Sequence, residues 1–117
     1  MIEENVFETE EQNKKITAEQ NHARNKEIDD LRKILKTPEG RRYIWRRLGK
    51  TGVFRNSFNL NSNQTAFTEG QRNVGLDMLR EINEADVTAF AKMQNEYISA
   101  LNSKQEAKEA EDARSNA

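Results

Sequence analysis

The chain has 117 residues, which is enough for one domain and too few for two. Hydrophobic residues make up 34% and charged residues 33%, with a mean hydropathy of -1.04, so a globular core drawing on the whole length is excluded. Nineteen Lys and Arg against twenty Asp and Glu leave a net charge of -1, too little to select a partner through long-range attraction.

The absence of cysteine removes disulfides, thiolate metal sites and cysteine nucleophiles. His22 is the single histidine, which excludes paired-histidine zinc motifs. No apolar run approaches about 18 residues, so no membrane anchor is expected. The start, Met1-Ile2-Glu3-Glu4-Asn5, is acidic and unlike a signal peptide, so a protein that stays in the cytoplasm or is packaged there is expected.

Residues 1–24 read as a polar acidic segment. Glu3, Glu4, Glu8, Glu10, Glu11 and Glu19 face only Lys14 and Lys15 within the first twenty residues. Val6, Phe7 and Ile16 offer too little apolar surface to offset the entropy of ordering it. Residues 25–103 read as a helical domain. Ile28, Leu31, Ile34 and Leu35 recur on one face of a first helix. Thr37-Pro38 ends it and opens a second, with Thr37 as cap and Pro38 in the first turn. That second helix carries Tyr43, Ile44, Trp45 and Leu48, and Gly49 is the expected C-terminal cap.

Residues 50–63 form the longest stretch without helical periodicity, with Val53, Phe54 and Phe58 as expected buried anchors. A third helix is expected from Gln64 or Thr65 to Asn83, striped by Phe67, Val74, Met78, Leu79 and Ile82. Gly75 beside that stripe predicts a close helix crossing. Asp86 is placed to cap a fourth helix bearing Val87, Phe90, Tyr97, Ile98 and Leu101. Residues 104–117 hold helix formers without an apolar stripe and are expected to extend that helix as a fraying polar tail. Strand-like alternation is nearly absent. The expected fold is therefore all-α, a small bundle of about four helices with disordered or fraying polar ends.

No catalytic group is legible, and no enzyme, metal site or cofactor is expected. Gly49-Lys50-Thr51 lacks the upstream glycine and strand of a phosphate-binding loop. Asp29 with Asp30, and Glu81 with Glu84, have spacings common on helix surfaces. The serines lack a nucleophile elbow. The conspicuous feature is a basic block, Arg41, Arg42, Arg46, Arg47, Lys50 and Arg55, uninterrupted by any acid. It is the candidate partner- or phosphate-binding site. Arginine forks suit phosphate and carboxylate oxygens, so the block fits nucleic-acid phosphates or an acidic protein surface. A purely structural reading pairs it with Asp29, Asp30 or Glu39.

Asp30-Leu31-Arg32-Lys33-Ile34-Leu35-Lys36-Thr37-Pro38-Glu39-Gly40-Arg41-Arg42-Tyr43-Ile44-Trp45-Arg46 resembles the opening of a small tailed-phage protein family. The loop Thr51-Gly52-Val53-Phe54-Arg55-Asn56-Ser57-Phe58 and the stretch Thr65-Ala66-Phe67-Thr68-Glu69-Gly70-Gln71-Arg72-Asn73-Val74-Gly75 continue the pattern, as does Glu81-Ile82-Asn83-Glu84-Ala85-Asp86. The family is typified by a protein of a short-tailed Bordetella phage encoded among capsid and portal genes. The similarity covers roughly residues 29–95. It implies a helical, non-enzymatic protein of the virion-morphogenesis region and brings no ligand residues with it.

The expected function is that of a virion-associated or assembly-associated helical interaction protein: an internal, ejected or head-to-tail component. Its expected partners are phage structural proteins such as capsid or portal, in the virion or in the host cytoplasm during assembly. The alternative is a DNA-binding accessory protein whose basic block touches packaged DNA. A core of about seventy residues is marginal, so oligomerisation or docking is expected to complete it.

Overall fold

In the computed structural model the described residues are 2–55 and 62–116, with side chains described over 6–55 and 63–116. They form an all-α fold of four helices: α1 (Ile2–Leu35), α2 (Pro38–Lys50), α3 (Ser62–Ala85) and α4 (Ala89–Ser115). Helix α1 packs on α2 and α3, and α4 packs on α3 and α2.

The turn between α1 and α2 follows from two side chains. Pro38 opens α2, and Thr37 stays extended with its Oγ1 accepting from the Gly40 amide at 3.0 Å. Helix α2 runs through Gly49 to Lys50, so Gly49 is not the cap expected of it. The left-handed residue comes three positions later, at Gly52 with φ 73°, after Thr51 has taken the cap position.

Leu48, Ile82, Met93, Ala89, Leu35, Ala85 and Ile28 form the buried core. Leu31, Ile44, Trp45, Met78 and Leu79 pack half-buried against it. The three largest fully buried side chains, Leu48, Ile82 and Met93, come from α2, α3 and α4, and burying side chains of this size contributes roughly 1.5–3 kcal/mol each. In α4 the core contact falls on Ala89 and Met93, one turn apart, and not on the bulkier stripe. Val87 lies before α4 and is 80% exposed, at the centre of the three-residue turn 86–88 that Asp86 opens. The Asp86 carboxylate accepts from the Thr88 amide and hydroxyl at 2.9 and 2.6 Å. Those bonds hold it below the ordinary carboxylate range. Asp86 thus shapes the turn before α4, and Thr88 occupies the cap position itself. Helix α3 begins at Ser62 and continues past Asn83 to Ala85, whose carbonyl accepts from Arg32 Nε at 2.8 Å. Phe67 and Val74 on its expected stripe are exposed.

Gly75 makes the close approach, but its partner is the turn after α2 and not a helix. A Cβ there would lie 2.2 Å from Thr51 Oγ1 and 2.8 Å from Val53 Cβ. Thr51 is itself held, donating to the Leu48 carbonyl at 2.6 Å.

The molecule is long and flat, 93 × 40 × 16 Å, with a radius of gyration of 22.6 Å. A compact domain of this length would have about 13 Å. The excess comes from helix that overhangs the core. Along α1, every side chain described from 6 to 23 is exposed, as is every one in α4 from 97 onward. The α1 overhang alone is about 33 Å long at the usual helical rise. No helix among the described residues is long and apolar enough to cross a membrane.

Two glycine substitutions check this packing. Gly75→Ala should destabilise the protein by about 1–3 kcal/mol, because the added methyl meets pinned atoms. Gly70→Ala, which meets nothing within 4 Å, should stabilise it by about 0.5–1 kcal/mol through helix propensity. Urea midpoints measured on both variants test the contrast.

Candidate cationic docking site

Helix geometry divides the basic block between two faces. Arg41 is seven residues before Leu48 and three and four before Ile44 and Trp45, so it shares their inward side. It is only 6% exposed. Its Nε donates to Glu96 Oε1 at 2.8 Å, and its Nη1 donates to the Leu35 carbonyl at 2.9 Å. Arg41 therefore belongs to the interior, where it ties the end of α1 and the start of α2 to α4, and it leaves the surface set.

Arg42, Arg46 and Lys50 follow one another at intervals of four along the outer side of α2. Arg42 lies 3.9 Å from Glu39, a long, exposed contact. Arg46 and Arg47 stand over the Tyr43 ring, with guanidinium carbons 5.4 and 5.2 Å from its centroid. Arg47 also donates to the Tyr43 hydroxyl at 3.2 Å.

Arg46, Lys50 and Arg55 converge on one groove of about 680 Å³, completed by Gly49, Gly52, Thr68 and Gln71. Among the described residues that line it, none is acidic. Among the described residues, none of these three cations has a carboxylate within 4.0 Å. The other arginines near the core are neutralised: Arg24 by Glu81 and Glu84, Arg32 by Asp29, Arg41 by Glu96. The carboxylate pairs singled out in the sequence are thus largely tied to arginines.

The same turn that supplies Gly52 and Arg55 to the groove sends Phe54 to an aromatic cluster. Trp45 lies at its centre, with ring centroids 5.7 Å from Phe54, 5.7 Å from Phe90 and 5.5 Å from Tyr97. Phe54 is 52% exposed, contrary to its expected burial; Val53 is the buried anchor of this turn. The two point to opposite sides of the chain, and Val53 takes the side that meets Gly75. Phe58, the other expected anchor, lies outside the described residues. Tyr97 in the cluster, and Ile98 and Leu101 beyond it, are half-exposed.

Sequence reasoning missed Thr68 and Gln71 as walls of the groove, since their approach depends on the contact of Gly75 with Thr51 and Val53, which are distant from it in sequence. The interior role of Arg41 did have a signal in its spacing to Leu48.

Residues 31–95 match a family model described as Bbp19-like phage protein. No curated protein and no solved structure matches the chain. The matched region contains the whole basic block, the groove and most of the core, and it excludes the overhanging parts of α1 and α4.

The division of the block predicts two unlike outcomes. Arg41→Ala should cost about 1–3 kcal/mol, because it leaves the buried Leu35 carbonyl without its donor and removes the part-buried pair with Glu96. Arg46→Ala should stay within about 0.5 kcal/mol of the parent. Thermal or urea unfolding of the two single variants checks this.

Proposed function

The chain belongs to the family of Bbp19-like phage proteins, and from that premise we propose that it acts by docking, as a virion-associated or assembly-associated component. It binds an acidic protein surface through the groove and the neighbouring rings. One observation carries this reading: three cations with no carboxylate partner among the described residues line a single groove beside half-exposed aromatic side chains. Cations give orientation and rate of encounter, and aromatic residues give most of the contact energy in such interfaces. Capsid, portal or another virion component is the proposed partner class, in the particle or in the host cytoplasm during assembly. The protein works by binding and not by catalysis.

A second reading is favoured by the same groove. Arg46, Lys50 and Arg55 with glycine backbone at Gly49 and Gly52 also suit the phosphates of packaged DNA. The net charge of -1 ranks it second, because the whole molecule has little attraction for a polyanion.

The double variant Arg46→Ala, Lys50→Ala separates the two. On the docking reading it remains folded, is depleted severalfold from assembled particles, and the parent binds duplex DNA poorly at physiological salt. On the DNA reading the parent binds tightly, with a log–log salt slope of about -0.9 per phosphate neutralised, and the double variant flattens that slope by about two units. A DNA titration at two salt concentrations, with mass spectrometry of purified particles, distinguishes them.

A further inference from the structure

The overhanging start of α1 has the composition that the groove lacks. Residues 1–13 contain five acids and no Lys, Arg or His, whereas residues 40–68 contain six cations and no acid. In the overhang, Val6 and Glu10, and Phe7 and Glu11, are pairs four apart, so they share one side of the helix. Val6 and Phe7 are 51% and 65% exposed, which gives that side an apolar component to set against Phe54 and Tyr97.

The chain can bring these two surfaces together by itself only by breaking α1. Helix α1 is unbroken from Ile2 to Leu35. Glu11 therefore lies about 25 Å along a continuous helix from Ile28, the first α1 residue to enter the core. Folding back onto the groove would require melting the helix. A second chain faces no such obstacle.

We propose that the acidic start of α1 from one copy docks in the Arg46–Lys50–Arg55 groove and against the adjoining rings of another copy. This rests on the docking reading above and names its partner as a second copy of this chain. Glu10 and Glu11 approach the groove cations, while Val6 and Phe7 cover Phe54 and Tyr97. The contact joins two different surfaces, so it is heterologous: each copy offers both a free arm and a free groove, and the assembly either closes into a ring or grows.

The test uses the full chain in two charge-reversed forms. One carries Glu8→Lys, Glu10→Lys and Glu11→Lys; the other carries Arg46→Glu, Lys50→Glu and Arg55→Glu. All six positions are exposed, and circular dichroism confirms that both remain helical. Sedimentation velocity on the parent should show concentration-dependent association that weakens by at least about tenfold on moving to about 0.5 M salt. Each reversed form alone should lose association by at least about tenfold, because like charges now face each other. An equimolar mixture of the two should associate again, since each arm meets a groove of opposite sign. A parent that stays monomeric at low salt overturns the proposal, as does an arm-reversed form that still associates like the parent, or failure of the mixture to recover. If the proposal fails while Arg46→Ala, Lys50→Ala still depletes the protein from particles, the docking reading stands with a different acidic partner. If that depletion is also absent, both fall.

Discussion

The buried guanidinium of Arg41 is the constraint on which the arrangement rests. It reaches a carbonyl at the end of α1 and a carboxylate on α4 from the first turns of α2, and so joins three helices at one point. Burying a charge is costly unless it is paired and hydrogen-bonded, and here both conditions are met. Among the described residues no buried side-chain polar atom lacks a partner. The consequence reaches beyond stability. With Arg41 turned inward, the rotation of α2 about its axis is set, and Arg42, Arg46 and Lys50 are carried to the outside together. The surface cations are arranged as they are because one member of the same run is anchored in the interior.

The second organising contact is the absence of a side chain at Gly75. The turn after α2 sits directly on α3 there, which brings Thr68 and Gln71 opposite Arg46, Lys50 and Arg55. A few residues thus divide their directions cleanly. Val53 goes inward, Phe54 goes to the Trp45 rings, and Arg55 goes to the groove. An interface that combines a charged concavity with neighbouring aromatic rings is built from one five-residue turn and the faces of three helices, α2, α3 and α4.

The helical periodicity of the centre, the Thr37-Pro38 boundary and the close approach at Gly75 were legible in the sequence, because each depends on local spacing or on a single residue with one steric property. What was not legible depended on contacts between distant parts of the chain. Phe54 and Val53 are adjacent and both apolar, and nothing local says which of them meets α3. Val87 continues the apolar stripe of α4 but precedes its first turn, and Met93 takes the core position because Ala89 below it lets the helices approach. The basic block was legible as composition. Its division into one interior arginine and an outward group required knowing which face of α2 the core covers.

The continuity of α1 has a thermodynamic side. Its C-terminal portion is held by Ile28, Leu31 and Leu35, whereas every side chain described from 6 to 23 is exposed and outside the core. Isolated helix of that length is marginal in water, since propagation adds little free energy per residue. One rod therefore spans two regimes: amide protons near Leu31 exchange only when the core opens, and those toward Ile2 exchange through fraying that leaves the core intact. Protection along α1 should fall off as a gradient rather than a step, and anything that covers the exposed half would flatten that gradient.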